Sequence, residues 1–351
     1  MIANIRLQKF RSYADQSFEF DGGVNIIVGP NASGKTNLLE AILVLCRGNS
    51  YRAKDTELVQ FDQPWSRLDA YTDAGVERTV KLVCDPIFAK TYELEGKTFK
   101  RLTLQNTLPV VLFEPNHLQL LHGSPEQRRT FLDDLLEQTK LGYGTLRRQY
   151  KRTLAQRNAL LKKDGASQTE LFPWDVRLSQ LAGQIVRARS ELTAVIWGRL
   201  PSLYQELANA KTKVSVRYAA AWPVDSYETN LLKKLESSAE LDRLRGFTAH
   251  GPHREDMEVM FDGHAAQDAA SRGEARTLVL GLKVIELEAI AAARDTMPLL
   301  LLDDVFSELD GSRRRALTEH LAAYQTFITT TDADLVLQHF TEACRIIPIG
   351  S

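Results

Sequence analysis

The arrangement of apolar and polar positions divides the chain into three parts, of which the first is rich in strands. Val24–Val28 is a mainly β-branched run that ends at Gly29, as a buried strand does. Residues 37–46 carry apolar side chains densely enough for a helix. Residues 68–113 return to short strand-like segments separated by turn residues. This part therefore predicts several strands and one helix.

The middle part, residues 125–245, is charged and has the texture of long helices. Its apolar or small residues alternate at steps of four and three over one stretch: Trp174, Leu178, Leu181, Ile185, Ala188, Leu192 and Val195. This is the heptad spacing of packed helices, and Pro201 is expected to end or kink the helix. An earlier stretch at 125–163 is long enough to lie antiparallel to it. We expect a short helical arm, the alternative being an ordinary helical subdomain with a buried seam.

The last part, from residue 246, again has the pattern of a globular domain. Residues 274–294 predict a helix. Three apolar segments predict strands: Leu299–Leu302, 326–329 and 346–347. The continuous apolar run at Leu299–Leu302 is typical of a central parallel strand, which is buried on both faces. The expected fold is α/β with mixed sheets, in which residues 1–124 and 246–351 form one discontinuous domain and residues 125–245 are inserted.

Composition narrows the class of protein. A chain of 351 residues suggests about two domains, and 44% hydrophobic with 25% charged residues is ordinary for a globular protein. The net charge of −1 excludes a globally basic nucleic-acid binder but not a local basic face. No apolar run reaches the roughly 18 residues of a membrane span. Three distant cysteines without a CxxC pair favour a reduced, cytoplasmic location.

A phosphate-binding pattern follows the buried strand that ends at Gly29. Residues 29–36 match G-x-x-x-x-G-K-[ST] between a predicted strand and a predicted helix. The glycines let backbone N–H groups surround an anion at the positive end of the helix. The predicted ATP-binding residues are Gly29, Pro30, Asn31, Ala32, Ser33, Gly34, Lys35, Thr36 and Asn37. Lys35 is expected to act in catalysis by reaching the β and γ phosphates, and Thr36 to bind Mg²⁺ through its hydroxyl.

Two acidic residues are expected to complete this site. Asp303 and Asp304 directly follow the apolar strand 299–302. Asp303 is predicted to hold Mg²⁺, and Asp304 to orient or deprotonate the attacking water. The alternative is a strand end capped by two solvated carboxylates. Lys35 and Asp303 are 268 residues apart, much further than in compact P-loop ATPases, so the helical part is interpreted as an insertion between them.

Two further segments resemble motifs of ABC-type ATPases. The signature-like residues are Ser271, Arg272, Gly273 and Glu274, and the D-loop-like residues are Ser307 and Asp310. A serine N-cap before a helix would explain either segment alone. However, the order of P-loop, insertion, signature, acidic strand end and D-loop is that of an ABC-type ATPase head. Asp304 stands where ABC ATPases commonly have glutamate, and its shorter side chain predicts slow hydrolysis.

The chain as a whole resembles the RecF family of DNA-repair ATPases, which are related to SMC proteins. The resemblance rests on the P-loop, the acidic strand end and four further segments: Leu7–Tyr13, Asn49–Arg52, Gly251–Arg254 and Ser271–Glu274. It implies that ATP is sandwiched between the P-loop of one head and the signature of another, so that ATP bridges a homodimer and hydrolysis releases it. It also implies binding of double-stranded DNA beside single-strand gaps, with RecO and RecR as partners in loading RecA.

Residues 145–163 are a candidate DNA-binding stretch, because they include seven basic residues and no acidic ones. Such a stretch can displace counterions from phosphates and give sequence-independent binding. The candidate contacts are Arg147, Arg148, Lys151, Arg152 and Arg157. The alternative is a solvated helix face whose charges pair with acids elsewhere in the arm.

Four more residues are candidates for the nucleotide site: Arg11, Arg52, Glu114 and Thr330. Arg11 or Arg52 is expected to approach phosphates or to couple DNA to ATP, the alternative being surface arginines. Glu114, Asn116 or His117 follows a strand where the Q-loop of ABC ATPases should fall. A threonine in 329–331 is the candidate sensor of the γ-phosphate in place of the usual switch histidine, unless these residues merely cap the strand.

Two other functions remain as alternatives. The basic helical insertion disfavours an ABC subunit that energises a membrane transporter. The short arm and the lack of a cysteine hook disfavour an SMC-like or nuclease-associated ATPase of another DNA-processing complex.

Overall fold

The structure, a computed structural model, describes residues 1–163, 167–321, 323–338, 340 and 344–350. The chain separates into a first unit, Met1–His117 with Glu286–Ser351, and a second unit, Leu118–Ile285. This division differs from the predicted domain boundaries, 1–124 with 246–351 against 125–245, because it assigns residues 118–124 and 246–285 to the second unit. The physical reason is a ladder of hydrogen bonds that joins residues 256–261 to residues 214–219.

Strands and helices are distributed over both units. The strands are β1 (Ile2–Phe10), β2 (Tyr13–Glu19), β3 (Val24–Val28), β4 (Trp65–Thr72), β5 (Glu77–Val83), β6 (Ala89–Leu94), β7 (Lys97–Phe99), β8 (Val110–Phe113), β9 (Val214–Ala219), β10 (Asp256–Phe261), β11 (His264–Ala265), β12 (Leu299–Asp303), β13 (Thr326–Thr330) and β14 (Arg345–Pro348). The helices are α1 (Lys35–Arg47), α2 (Gln119–His122), α3 (Pro125–Thr139), α4 (Tyr143–Leu161), α5 (Gln168–Ala208), α6 (Tyr227–Ser237), α7 (Ala239–Arg245), α8 (Ala266–Ala269), α9 (Arg272–Ala293), α10 (Val305–Glu308), α11 (Gly311–Leu321) and α12 (Ala333–Leu337).

A parallel sheet carries the carboxyl ends of several strands in the first unit. Its order is β14-β3-β13-β12-β8, and each pair is parallel. The prediction that Leu299–Leu302 is a central strand is confirmed, since β12 lies between β13 and β8 and its leucines are buried. The predicted strands at 24–28, 326–329 and 346–347 are confirmed as β3, β13 and β14. The carboxyl ends of these strands meet at one edge of the sheet, where ligands of open α/β sheets bind.

The first unit also contains an antiparallel sheet, of order β2-β1-β4-β5-β6-β7. Helix α1 contacts strands of both sheets, and residues 38–46 of this helix are buried. A helix that is apolar on nearly all sides is stable only inside a core. The hydrophobic core of the unit therefore forms around the helix that starts at the P-loop.

In the second unit, α5 is longer than the sequence predicts. The predicted seam is confirmed from Leu178 to Leu192, but Val195 is 58% exposed. The sequence predicts that Pro201 either ends or kinks the helix. Pro201 does not end it, because α5 continues to Ala208 with Pro201 inside it.

The reason for the longer helix is an apolar stripe that continues past the proline. After Leu192 the buried positions step by four to Ile196 and Leu200, then continue to Leu203 and Leu207. A helix with 3.6 residues per turn drifts against a strict heptad, and a step of four restores its buried face. Packing on both sides of Pro201 offsets its missing hydrogen bond.

None of the helices within the described ranges is long and apolar enough to cross a membrane.

Helices α4 and α5 run antiparallel to each other in the second unit. Arg177 donates to the side-chain oxygen of Gln149 at 3.2 Å, and Arg157 donates to Asp175 at 2.5 Å. The stretch predicted to be helical at 125–163 consists of two helices, α3 and α4, and the second begins after Gly142 at a φ of 84°.

Arg157 of α4 lies at the centre of a buried ion cluster. Its guanidinium contacts Asp175 at 2.5 Å, Asp242 at 2.8 Å and the Thr248 hydroxyl at 2.8 Å, and all three charged side chains are 0% exposed. Burial raises the pKa of Asp175 despite the neighbouring arginine. The cluster ties α4, α5 and α7 together through one cation.

The Gly251–Arg254 segment is built into the same region of the second unit. The Nε2 atom of His253 lies 3.0 Å from the carbonyl oxygen of Thr248, and its Nδ1 atom lies 2.7 Å from the Tyr150 hydroxyl. A carbonyl can only accept, so Nε2 carries the proton and Nδ1 accepts from Tyr150. Burial lowers the pKa of His253 to about 4, so the ring is neutral at pH 7 and holds the segment in place.

Substitution of Arg157 by methionine should destabilise the second unit strongly, because it leaves two buried carboxylates without a cation. We expect Arg157→Met to lower the free energy of unfolding by about 3–5 kcal/mol, measured by urea denaturation followed by circular dichroism. Arg152→Met is the matched control on the same helix, since Arg152 is exposed, and its effect should stay within about 0.5 kcal/mol. Equal effects of the two substitutions would contradict the buried cluster.

Candidate nucleotide-binding site

The P-loop in the first unit forms an anion cradle. Ala32 and Gly34, on either side of Ser33, both have positive φ, 64° and 109°, and left-handed turn residues of this kind aim backbone N–H groups at one point. Gly29 must lack a side chain, because a Cβ there would lie 2.3 Å from the carbonyl oxygen of Ile349. The Ser33 hydroxyl oxygen is withdrawn from solvent and has no hydrogen-bond partner. An unpaired buried hydroxyl in this loop fits a site for phosphate oxygens.

The side chain of Lys35 folds back onto the backbone of the P-loop. Its Nζ atom donates to the carbonyl oxygens of Gly29 at 2.7 Å and Pro30 at 2.8 Å, and the residue is 8% exposed. Both partners are neutral acceptors, so the ammonium charge is not matched by a carboxylate among the hydrogen bonds it makes. A phosphate at the N-terminus of α1 would supply the anion that this lysine lacks.

Asp303 lies beside the P-loop helix and accepts hydrogen bonds from three hydroxyls. Thr36 Oγ1 donates to its Oδ1 at 3.1 Å, Thr329 Oγ1 donates to the same oxygen at 2.7 Å, and the Tyr51 hydroxyl donates to Oδ2 at 3.3 Å. Burial and the Asp303 charge raise the pKa of Tyr51, which therefore remains a donor. The predicted meeting of Thr36 and Asp303 is thus observed although 267 positions separate them in sequence.

The side-chain oxygens of Thr36 and Asp303 are of the kind that Mg²⁺ prefers. The Thr36 hydroxyl and the Asp303 carboxylate are hard oxygen donors 3.1 Å apart. Among the described residues, no cluster of three or more His, Cys, Asp or Glu side chains could hold a metal by itself. Mg²⁺ commonly takes one or two protein oxygens and completes its shell with substrate phosphates and water, so the two residues fit an ion that arrives with ATP.

Of the candidate threonines in 329–331, Thr329 is the one that contacts both aspartates. The Asp304 backbone N–H donates to Thr329 Oγ1 at 2.9 Å, and Asp304 itself adopts a φ of 53°. The Thr330 hydroxyl is used inside its own turn, where it contacts Asp332 at 3.0 and 3.1 Å. The assignment of Thr330 as a γ-phosphate sensor therefore has no support from its hydroxyl contacts.

Arg11 and Arg52 are not free surface arginines, because both bind the buried carboxylate of Glu40 on α1. Arg11 makes a bidentate pair with Glu40 at 2.9 Å, and Arg52 contacts it at 3.0 Å. The Ser50 hydroxyl adds a third donor at 2.5 Å. Burial alone would raise the pKa of Glu40, but these hydrogen bonds hold the pKa below its ordinary value.

The same arginines are linked to the end of the P-loop. Arg52 also donates to the side-chain oxygen of Asn37 at 2.6 Å, and Asn37 donates to Ser12 at 2.9 Å. Arg11 lies in the β1–β2 turn at a φ of 51°. The predicted residues Arg11, Arg52 and Asn37 are thus brought together, but around a glutamate that the sequence analysis did not identify.

The other predicted positions of the first unit lie close to the same sheet edge. Phe113 is in register with Leu302, so Glu114 follows β8 where Asp303 ends β12. The backbone N–H of Glu114 donates to His117 Nδ1 at 3.1 Å. In the D-loop segment, Ser307 donates to the carbonyl oxygen of Asp304 at 2.7 Å, while Asp310 accepts from the Arg313 N–H at 2.9 Å and caps α11.

The signature segment in the second unit forms a reciprocal N-cap. The Ser271 N–H donates to a Glu274 carboxylate oxygen at 2.8 Å, and the Glu274 N–H donates to Ser271 Oγ at 3.4 Å. This capping box starts α9 and leaves Ser271 and Arg272 exposed. The local role is therefore explained, and the role toward a partner's nucleotide stays a prediction.

The candidate DNA contacts on α4 divide into buried and exposed residues. The prediction is wrong for Arg157, which is fully buried and paired with two aspartates. Arg147 is also occupied, by Asp133, Asp134 and Glu137 at 3.0–3.1 Å, with 17% of its side chain exposed. The exposed candidates are Arg148, Lys151 and Arg152.

Glu40 and Tyr51 belong to this site although the sequence motifs did not point to them, and Thr329 was one of three candidate threonines. Glu40 is the one charged residue in the apolar run 38–46, and a charge in a buried helix requires partners. Tyr51 lies within the Asn49–Arg52 motif, where no local signal in the sequence distinguishes its role. A hydroxyl at the end of a parallel strand, like Thr329, is expected near the residues that end its neighbours.

Comparisons with known proteins agree on one family. The profile of the RecF/RecN/SMC N terminal domain matches residues 1–348. The DNA replication and repair protein RecF of Heliobacterium modesticaldum is 35% identical over 342 residues, covering 94% of this chain and 92% of the relative. That of Acetivibrio thermocellus is 33% identical over 349 residues, covering 95% and 94%.

Solved structures support the same relationship. The recombination mediator protein RecF with ATPrS, described in the RecFOR pathway, is 30% identical, with a TM-score of 0.88 over 99% of this chain and 97% of the other. An Smc head bound to the C-winged helix domain of ScpA is 16% identical, with a TM-score of 0.57 over 99% and 93%. The second likeness concerns the fold alone and confirms the predicted ABC-type α/β class.

Neutralising Glu40 should weaken the first unit at neutral pH. We expect Glu40→Gln to lower the free energy of unfolding by about 2 kcal/mol at pH 7, because hydrogen bonds between charged groups are lost. The folded pKa of Glu40 is lowered, so its contribution is fully present above the unfolded pKa and is lost as pH falls through the folded value. Thermal denaturation against pH should therefore show the difference shrinking in acid. Glu19→Gln, an exposed glutamate paired with Arg345, is the control, and a difference independent of pH would contradict this account.

Proposed function

The chain belongs to the RecF family, and from this we propose that it is an ATP-dependent DNA-binding protein of recombinational repair. In this proposal, ATP joins two copies into a clamp on double-stranded DNA beside a single-strand gap. The clamp works with RecR and RecO so that RecA can be loaded, and hydrolysis releases it. The observation that carries the proposal is the meeting of the P-loop with Asp303 in a chain of this family.

The chain's own residues support binding of ATP with Mg²⁺. The backbone of the P-loop and the Ser33 hydroxyl would receive phosphate oxygens, and Lys35 would exchange its two carbonyl partners for the β and γ phosphates. Thr36 and Asp303 would hold the ion, which neutralises phosphate charge when bound.

Asp304 is proposed to orient the attacking water for hydrolysis. Its backbone is held by Thr329, so the carboxylate projects from a fixed point at the strand end. The aspartate side chain is one methylene shorter than glutamate, which supports slow turnover, and we propose that DNA stimulates it. A DNA-stimulated rate in the range of ordinary metabolic enzymes, about 10 per second, would contradict this proposal.

The proposed dimer depends on Ser271 acting on the nucleotide of a partner. The exposed N-cap of α9 offers N–H groups and a hydroxyl to an anion, and the first unit's cradle offers the opposite half of such a site. ATP bound between two copies would stabilise the dimer by the free energy of its contacts with both. Within a single chain, each half would be incomplete. A cytoplasmic location is proposed together with the role in DNA repair.

Sedimentation velocity tests this function directly. With Mg²⁺ alone the wild type should sediment as a monomer, and with Mg²⁺ and ATP it should become a dimer. Lys35→Met should abolish nucleotide binding and dimer formation together. Ser271→Arg should retain nucleotide binding but remain monomeric, because a bulky cation would occupy the N-cap that faces the partner's phosphate.

A wild type that binds ATP but stays monomeric would overturn the role of ATP as a bridge. A Ser271→Arg variant that dimerises like the wild type would overturn the role of the signature in trans. Circular dichroism of each variant would show that the overall helix content is retained.

The exposed basic residues of α4 are the proposed contact with DNA. Arg148, Lys151 and Arg152 lie on the solvent side of the helix, and Arg148 is bonded to the Thr145 hydroxyl rather than to an acid. Contacts of this kind bind phosphates without reading sequence. The preference for gapped DNA and the cooperation with RecR and RecO are proposed from membership of the family.

Replacing Arg148, Lys151 and Arg152 together by glutamine should weaken binding to a gapped duplex in the presence of ATP. The slope of log affinity against log salt should fall by about 0.9 for each phosphate that the variant no longer neutralises, hence by about 2–3 in total. Fluorescence anisotropy at several salt concentrations measures it. In the matched control, three exposed basic residues of the same unit outside α4 are replaced by glutamine: Lys211, Lys213 and Arg217. Equal decreases of slope in both variants would place the DNA elsewhere.

A further inference from the structure

Thr329 contacts both of the acidic residues that end β12. Its Oγ1 donates to Asp303 Oδ1 at 2.7 Å and accepts the backbone N–H of Asp304 at 2.9 Å. The residue is fully buried and lies in register with Asp303 on the neighbouring parallel strand. A single hydroxyl therefore sets the side-chain orientation of one aspartate and the backbone of the next.

Tyr51 contacts the other oxygen of Asp303 from a short turn that is fastened to Glu40. Ser50 Oγ accepts the backbone N–H groups of Arg52 and Ala53, each at 3.1 Å, and donates to Glu40. Arg52 binds the same carboxylate. Both neighbours of Tyr51 are thus anchored to a buried group, and the phenol is presented to Asp303 Oδ2 at 3.3 Å.

These contacts matter because the Thr36 hydroxyl has two tasks when Mg²⁺ is bound. It donates its proton to Asp303 Oδ1, and its lone pairs remain available to the cation. The hydroxyls of Thr329 and Tyr51 also donate to Asp303, and neither is needed as a ligand of the ion. They can therefore hold the carboxylate in one orientation before and after the ion binds.

We propose that Thr329 and Tyr51 are positioning residues that keep the Asp303 carboxylate oriented toward Mg²⁺ at the nucleotide site. This role rests on the proposed ATP-binding function and deepens it. Neither residue touches the nucleotide in this account; each acts through Asp303. Partners that orient a metal ligand typically change metal affinity by about 10–100-fold when they are removed.

The test is equilibrium binding of a fluorescent methylanthraniloyl derivative of ATP, measured once in Mg²⁺ and once in EDTA. Thr329→Val should weaken binding about tenfold in Mg²⁺ and leave it unchanged in EDTA. Thr329→Ser keeps the hydroxyl and should restore binding in Mg²⁺. Tyr51→Phe should act in the same direction as Thr329→Val, with a smaller effect because its hydrogen bond is longer.

Two control variants separate positioning from damage to the fold. Thr326→Val removes a buried hydroxyl from the same strand, where it contacts the carbonyl oxygen of Tyr324, and should bind as the wild type does. Tyr92→Phe removes a phenol that contacts Gly48 instead of Asp303, and should do the same. If Thr329→Val loses stability, Tyr51→Phe still tests the proposal, because its effect must again be confined to Mg²⁺.

The outcomes distinguish this role from the proposed function itself. A wild type that binds no nucleotide in either buffer would overturn both. A wild type that binds more tightly in Mg²⁺, with Thr329→Val and Tyr51→Phe titrating identically to it, would overturn the positioning role alone. Equal weakening in Mg²⁺ and EDTA would show a general effect on the pocket and would also overturn it.

Discussion

The parallel pairing of β13 with β3 on one side and β12 on the other is the constraint on which the nucleotide site depends. It aligns Thr330 with Val28, and Thr329 with Asp303, so the loop that follows β3 and the acids that end β12 lie at one edge. Parallel strands need long crossover connections, and here the connection between β3 and β12 holds the entire second unit. Any shift of one residue in this register would turn Thr329 away from Asp303, because strand side chains alternate between faces.

The first unit contains two carboxylates, Glu40 and Asp303, that are shielded from water to different degrees. Several hydrogen-bond donors surround each of them and offset the cost of lost hydration. Glu40 is surrounded by two arginines and a serine, while Asp303 is surrounded by three hydroxyls. Glu40 is fully buried and Asp303 is half-buried, and a carboxylate that loses water is unstable unless such donors replace its hydration. The two sites differ in purpose: cations permanently neutralise Glu40, whereas hydroxyls leave Asp303 with a charge that a metal ion can use. The segment Ser50–Arg52 links them, so the Glu40 carboxylate helps to place the Tyr51 hydroxyl beside Asp303.

The second unit uses charge mainly for architecture. Arg157 and Arg189 are both buried, each bound to an aspartate on another helix, and Arg189 also donates to the carbonyl oxygen of Pro252. These pairs hold the Gly251–Arg254 segment against the helices. Removal of one partner would leave an unpaired charge in the core, which is strongly destabilising. The exposed Arg148, Lys151 and Arg152 lie on the same helix as Arg157 and remain available to a ligand.

The sequence by itself determined the elements whose signals are local: the P-loop between a strand and a helix, the apolar strand that ends in Asp303, and most of the α5 seam, because each depends on spacing within a few turns or one strand. Tertiary structure alone decided which of several similar residues make the contacts of the site and which are buried. It selected Thr329 over Thr330, buried Arg157 while leaving Arg152 exposed, and assembled Arg11 and Arg52 around Glu40. The physical reason is that hydrogen bonding and burial are set by residues that meet only after folding, often hundreds of positions apart in the chain.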